Sequence, residues 1–120
     1  AEVLLDYRCT VERIVTASLE PESVRRNQDA RYIGKQFTVE RRTGVMAGVL
    51  KNAYVTNPVV VDTGSIDNAF KVVTTMRRDQ GAGAGSMVYA LTINEFERAP
   101  KKSFIFLEND TAYIGRCEHF

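Results

Sequence analysis

The side chains of this sequence best placed for covalent chemistry are its two cysteines. Cys9 lies near the start of the 120-residue chain and Cys117 near its end, each in a segment where apolar and polar residues alternate. Such alternation is typical of β-strands, and two cysteines are the minimum for one bridge. A Cys9–Cys117 disulfide would close a loop of about 100 residues and contribute about 4 to 5 kcal/mol in the chain-entropy model. Two buried free thiols are the main alternative.

Other reactive chemistry has little support. A structural zinc site needs about four ligands, and the only other soft ligand is His119, so no metal site is predicted. On one strand, Cys117 and His119 would lie about 7 Å apart, too far for direct proton transfer. No catalytic residue and no cofactor is predicted, because no motif places the acids that an acid–base enzyme would use: Asp6, Asp62, Glu95 and Glu108.

A glycine-rich loop, several arginine pairs and two tyrosines in polar loops are the candidate contact residues. A strand pattern follows the glycine run, whereas phosphate-binding loops need a helix there, so a flexible hairpin loop or a partner-contact loop is indicated. The arginines would form a cationic rim if their turns lay at one end of the fold; nearby acids make solvated turn charges the simpler interpretation. The full set is Tyr32, Arg41, Arg42, Tyr54, Arg77, Arg78, Gly81, Gly83 and Gly85.

Composition and charge exclude several classes of partner. Sixteen Lys and Arg against fifteen Asp and Glu leave a net charge of +1, which argues against a dedicated nucleic-acid binder. The longest apolar runs, 59–61 and 104–107, fall far short of the ~20 residues that a membrane-spanning helix needs. At this length the chain is predicted to form a single domain over residues 1–120.

Period-two alternation predicts an all-β fold. Residues 3–16 form the first predicted strand, with a bend near Arg13 and Ile14, where the apolar phase slips by one residue. In the next predicted hairpin, Phe37 and Val39 precede a turn at 41–44, after which Val45, Ala47 and Val49 resume the alternation. Further strands are predicted in the segments 59–62, 70–76, 87–94, 104–107 and 111–117.

The predicted architecture is an antiparallel up-and-down barrel of about eight strands, with a sandwich as the alternative. Connections are too short for parallel crossovers, and a Cys9–Cys117 bridge would make the first and last strands neighbours, which favours a barrel. The segment 20–31 is the only candidate helix; it is short and superficial because its apolar content is low.

Export to the periplasm or the cell exterior follows from the expected disulfide. The sequence begins Ala1-Glu2-Val3, which a removed leader peptide would explain. An expression scar or a trimmed chain is the alternative explanation.

Several segments resemble small exported bacterial proteins of unknown function. The resemblance rests on the run 37–48, on 62–65 with 70–72, and on the ending 104–106 with 113–117, flanked by Tyr7-Arg8-Cys9 and Gly115-Arg116-Cys117. It covers most of the chain and implies export and a disulfide. It transfers no functional residue, because these motifs are turns and strands.

Three functional classes remain, and the interior of the barrel discriminates between the first two. A noncatalytic binding module would take a small ligand in the barrel mouth or a protein through its loops. A structural or inhibitory surface-contact protein, such as an envelope component or a homodimer, would have a solid core and an exposed apolar patch. An enzyme without a recognisable motif is the third. The small-ligand version fails if the interior is filled by side chains such as Phe37, Phe70, Tyr89, Leu91, Phe104 and Phe106.

Overall fold

The fold is one antiparallel sheet with a single helix. The computed structural model describes residues 5–17, 21–53, 56–80 and 85–120. The elements in chain order are β1 (Tyr7–Thr16), α1 (Glu22–Tyr32), β2 (Gln36–Val39), β3 (Met46–Gly48), β4 (Val59–Thr63), β5 (Phe70–Met76), β6 (Met87–Ile93), β7 (Lys102–Glu108) and β8 (Thr111–His119).

The eight strands form a curled half-barrel rather than a closed ring. Their order is β3-β2-β1-β8-β7-β6-β5-β4, so every strand except β3 and β4 pairs with both of its neighbours around the ring, and β8 pairs with β1. Only one ladder of an up-and-down barrel is missing from the described residues, the one between β3 and β4. The prediction of an all-β antiparallel fold with one short helix is confirmed, and the opening in the ring falls between β3 and β4.

The β1–β8 ladder lies in the middle of the sheet and contains the disulfide. Cys9 is directly opposite Cys117, the two Cα atoms are 3.9 Å apart, and the bridge joins residues 108 positions apart. Both cysteines are buried. The predicted disulfide is therefore present. The register shifts between Val11 and Arg13, so the bend predicted from the phase slip is a β-bulge at Glu12.

Gly115 allows β1 and β8 to approach closely beside this bulge. A Cβ atom added there would lie 1.9 Å from the Thr10 carbonyl oxygen and 2.8 Å from the Phe104 ring. Neither contact is tolerable, and the first is with backbone that cannot rotate away. Glycine is required here for space, because its φ is not in the positive region.

Aromatic and aliphatic side chains fill the inner surface of the sheet. The Phe37 and Phe104 rings meet edge to face at 5.2 Å, and the Tyr7 and Phe70 rings lie 5.4 Å apart, so distant strands contact one another across the interior. The buried cluster contains all six residues on which the small-ligand hypothesis depends: Phe37, Phe70, Tyr89, Leu91, Phe104 and Phe106. The described interior is a packed core.

The β2–β3 hairpin differs from the sequence pattern in its phase. Val39 pairs with Met46, so Met46 is buried, whereas Val45 and Ala47 are exposed. The turn between the strands is closed by the Glu40 N–H donating to the Val45 carbonyl and the Gly44 N–H donating to the Glu40 carbonyl. The turn is therefore 41–44, with Glu40 opposite Val45, and this even number of turn residues places Met46 rather than Val45 opposite the inward Val39.

We predict that replacing both Cys9 and Cys117 by alanine lowers the free energy of unfolding by about 4 to 5 kcal/mol, because the unfolded chain regains the entropy of an open loop. Urea unfolding followed by circular dichroism measures the change. A double variant with the wild-type denaturation midpoint would contradict this role of the bridge.

Candidate functional site

The candidate contact residues are dispersed over the molecule. Arg42, Arg77 and Arg78 are exposed, and Arg77 pairs with Asp79 at 3.2 Å on the surface. Gly85 has φ +89° and open space around it. Three of the candidates, Tyr54, Gly81 and Gly83, lie outside the described residues.

Tyr32 packs against the edge of the hydrophobic core. It ends α1, and its ring meets the Tyr113 ring edge-on at 5.2 Å. The ring is half-buried, so its aromatic surface is used by the fold. The sequence pattern predicted a polar loop at Tyr32 because the residues before it are polar, and the contact with Tyr113 is too distant in sequence to give a local signal.

Arg41 is buried and joins the two sides of the open ring. We call the opening between the β2–β3 hairpin and β4 the seam. Only 6% of Arg41 is exposed, and across the seam its Nε donates to the Thr63 carbonyl at 2.8 Å and its Nη2 to the Gly64 carbonyl at 3.0 Å. Its backbone N–H donates to Asp6 at 2.9 Å. Arg41 is therefore not the solvated turn charge that the sequence suggested. It is a buried residue that joins the two sides of the seam, and we call its two hydrogen bonds across the seam the Arg41 clasp.

Glu95 is the common partner of the other polar groups at this end of the core. Its Oε2 accepts a hydrogen bond from the Tyr7 hydroxyl at 2.7 Å, and its Oε1 lies 2.9 Å from His119 Nε2. The Arg41 guanidinium is 3.8 Å from the same carboxylate and 5.4 Å from the centre of the Tyr7 ring, and His119 stacks on Tyr7. We call Tyr7, Arg41, Glu95 and His119 the Glu95 cluster.

The polar groups of the Glu95 cluster contact one another at the seam. Burial and the hydrogen bond to Glu95 raise the pKa of Tyr7 far above its ordinary value, so this hydroxyl keeps its proton at neutral pH. The tautomer with hydrogen on Nε2 lets His119 donate to Glu95, and its buried Nδ1 then holds only a lone pair, with no partner among the described residues. Both Glu95 oxygens are already bound by groups of this chain.

A side-chain amide covers the outer edge of β3. Asn52 is buried; its Oδ1 accepts from the Met46 N–H at 2.9 Å, and its Nδ2 donates to the Gly44 carbonyl at 2.8 Å. Gly44 approaches so closely that an added Cβ would lie 2.3 Å from a Val72 methyl carbon. Asn52 thus replaces part of the missing ladder and protects the edge.

The outer surface of the sheet is divided into two chemically distinct halves. Over the first part of β1 and the end of β8 it carries crossed ion pairs, Arg8–Glu118 and Arg116–Glu12, each at 2.9 Å. These arginines lower the pKa values of both glutamates. We call these four residues the charged ladder. They are exposed and mutually satisfied.

The other half is apolar and extends over six strands. One outward row crosses the sheet through direct register pairs; its exposed members are Val15 (47%), Leu107 (41%) and Val59 (65%). Ile105, Ile114 and Val88 adjoin this row. We call the whole set the apolar face: Val15, Val59, Val73, Val88, Ala90, Ile105, Leu107, Ala112 and Ile114.

No protein-family model, curated protein or solved structure matches the chain. The resemblance to small exported bacterial proteins therefore stays a prediction. No helix among the described residues is long and apolar enough to cross a membrane. In the same part of the chain, no group of three or more His, Cys, Asp or Glu side chains is arranged to hold a metal ion.

Sequence reasoning missed the apolar face, although the signal was present. In the segments 59–61 and 104–107 consecutive residues are apolar, which in a strand places apolar side chains on both faces of the sheet. The Glu95 cluster had no such signal, because its four residues come from four distant segments.

We predict that Arg41→Gln lowers the free energy of unfolding by about 2 to 4 kcal/mol, since two part-buried carbonyls and the Glu95 carboxylate lose a charged partner. Urea unfolding measures the loss. The matched control is Arg42→Gln at the exposed neighbour, for which we expect a change below about 0.5 kcal/mol. Equal effects of the two substitutions would contradict the clasp.

We predict that at least two of the five tyrosines ionise only when the protein unfolds in alkali. Burial raises the pKa values of Tyr7 and Tyr113, so the folded state keeps protons that the unfolded chain loses above about pH 10. The contribution of these two tyrosines to stability is therefore constant below about pH 10 and falls as the pH rises further.

Absorbance at 295 nm and circular dichroism, followed together against pH, test this expectation. Part of the tyrosinate signal should appear in the same step as the loss of ellipticity, and Tyr7→Phe should remove one tyrosine from that step. Complete ionisation of all tyrosines in protein that keeps its folded ellipticity would refute it.

Proposed function

We propose that this protein is a noncatalytic surface-contact protein that binds a protein partner through the apolar face. The observation that carries the proposal is the coexistence of a packed interior with a run of exposed and half-buried apolar side chains on the outside of six adjacent strands. A folded monomer gains nothing from leaving such side chains in water, whereas a partner that covers them gains their burial.

The size of the apolar face supports this proposal. Its nine side chains, each covering about 4.8 Å by 6.8 Å of the sheet surface, give a patch of roughly 300 Å². Patches of this size are the largest on a typical monomer and are often functional. A small ligand inside the barrel is the weaker hypothesis, because the side chains that would have to leave room for it form the core.

We also propose that the protein acts in an oxidising compartment, the periplasm or the cell exterior. The Cys9–Cys117 bridge supports this, since disulfides form and persist in such compartments and are rare in the cytosol. The contact surface would then face other exported proteins or components of the envelope.

We expect a photo-cross-linking amino acid placed at Leu107 or at Val88 to form a covalent adduct of defined mass in the cells that produce the protein. Gln36 is the matched control, because it is exposed on the polar part of the outer surface. Gel mobility and mass spectrometry of the purified adducts measure the outcome.

Two results bear directly on the proposal. Introducing Leu107→Lys should abolish the adduct formed from position 88, because a charge in the patch opposes burial. Equal yields of adduct from positions 36, 88 and 107, or no adduct from positions 88 and 107, would contradict the proposal.

A further inference from the structure

We propose that the end of the half-barrel opposite the Glu95 cluster holds a binding site for a small zwitterion, a molecule with one ammonium group and one carboxylate group. The ammonium binds to Glu108 and the carboxylate binds to Lys51. The site goes beyond the proposed function and does not depend on the apolar face, which lies on the outside of the sheet. It follows from an open cavity at this end of the fold and from two charged side chains in the wall of that cavity.

The cavity has a volume of about 490 Å³ and is open to solvent. Its wall comes from three parts of the chain: Met87 and Tyr89 at the start of β6, Glu108 at the end of β7, and Lys51 and Ala53 in the segment after β3. Volumes of about 300 to 1,000 Å³ are typical of small-molecule sites. The cavity lies beyond the end of the packed core rather than within it, so a filled interior leaves this space open.

The register of the sheet places Glu108 on the inner surface. Its partner on β6 is Tyr89 and its partner on β8 is Thr111, and both of these residues are buried. Residues directly opposite each other in a ladder have their side chains on the same face of the sheet. An acidic side chain therefore lies on the inner face, between two strands that carry buried residues at the same level.

The fold supplies no partner for this acid. No described residue forms an ion pair with the Glu108 carboxylate or donates a hydrogen bond to it. The side chain is half-buried, and burial raises the pKa of its carboxyl group. Burying a charged group without a partner is costly, and partly buried acids of this kind in a cavity are characteristic of functional sites. A cationic group of a ligand would remove the cost.

The segment after β3 holds Lys51 at the same cavity. Leu50 and Asn52, on either side of it, are buried, and both ends of the Asn52 amide are hydrogen-bonded to the β2–β3 hairpin. Lys51 and Ala53 are exposed and line the cavity. The lysine therefore extends from an anchored stretch of backbone in a part of the wall that belongs to neither β6 nor β7.

The two charges in the wall select a zwitterion as the ligand. Lys51 and Glu108 have opposite charges and line one cavity, yet they form no ion pair with each other. A molecule with both an ammonium and a carboxylate group satisfies both side chains at once. A simple cation would be repelled by Lys51 and a simple anion by Glu108, because like charges at short distance oppose each other.

The rest of the wall suits an apolar body on the ligand. The Tyr89 hydroxyl donates to the Met87 sulfur at 3.1 Å, and the Tyr89 ring stacks on the Phe106 ring, so the tyrosine is held in place. Met87 is half-buried, and the flexible thioether of methionine adapts to irregular apolar shapes. A free α-amino acid with an apolar side chain is the simplest molecule that combines these features.

Titration of the purified protein, followed by two-dimensional NMR, tests the proposal with three probes that share nearly the same carbon skeleton. L-leucine has both charged groups, 3-methylbutylamine has only the ammonium group, and 4-methylpentanoate has only the carboxylate group. We expect L-leucine to bind saturably and at least about tenfold more tightly than either of the others, because it alone makes both charged contacts. The amide signals of Met87, Tyr89 and Glu108 should shift.

Two substitutions separate the two contacts. Glu108→Gln should weaken the binding of L-leucine and 3-methylbutylamine by about tenfold and should not weaken that of 4-methylpentanoate. Lys51→Met should weaken the binding of L-leucine and 4-methylpentanoate and should not weaken that of the amine. The matched controls are Glu40→Gln and Lys71→Met, at exposed residues outside the cavity wall, and both should bind the probes as wild type does. Circular dichroism confirms that each variant is folded.

Three results would overturn the inference. L-leucine that causes no saturable shift at these amides up to about 50 mM does not bind to the cavity. An amine or a carboxylate that binds as tightly as L-leucine rejects the zwitterion. Glu108→Gln or Lys51→Met variants that bind L-leucine as the two controls do reject the assigned contacts. None of these results bears on the apolar face, so the proposed function stands or fails separately.

Discussion

An eight-stranded antiparallel ring that lacks one ladder must hold its open side by other means, and the Arg41 clasp does this. The guanidinium reaches from the β2–β3 hairpin to two carbonyls at the end of β4, where an eighth ladder of strand hydrogen bonds would close the ring. A charged, planar donor suits the task, because it satisfies several acceptors in a fixed geometry. Its burial is tolerable only because Glu95 lies 3.8 Å away and shares the charge.

Closure by side chains has consequences for the interior. Once the hairpin is held against β4 and β5, the side chains of β2 meet those of β7, and those of β1 meet β5, with aromatic contacts near 5 Å. The inner face is then filled by side chains of the sheet itself, so the described part of the half-barrel has a packed core. The proposed function therefore uses the outer surface and not the interior.

Local pattern sufficed for the strands, the helix and the disulfide, because period-two alternation and turn residues are short-range signals. It failed where the outcome depends on distant contacts. Arg41 looks like any other charged turn residue until Thr63 and Gly64 face it. The inward phase of β3 depends on the pairing of Glu40 with Val45 across the turn, which alternation alone does not specify. The apolar face was partly predictable. Consecutive apolar residues in the segments 59–61 and 104–107 indicate apolar side chains on both faces of a strand, but their alignment into rows depends on the register between strands.

The contrast between the two halves of the outer surface is the strongest argument that the apolar face is more than a requirement of the fold. β-branched residues favour strands wherever they lie, which alone would account for the outer valines. The charged ladder, however, occupies outward positions of the same sheet and in part the same strands, with Arg8, Glu12, Arg116 and Glu118. Those positions show that the fold accepts charged side chains outside. Leu107 and Ala90 have no special β-propensity, so their presence at the centre of the patch is what the proposed contact surface would require.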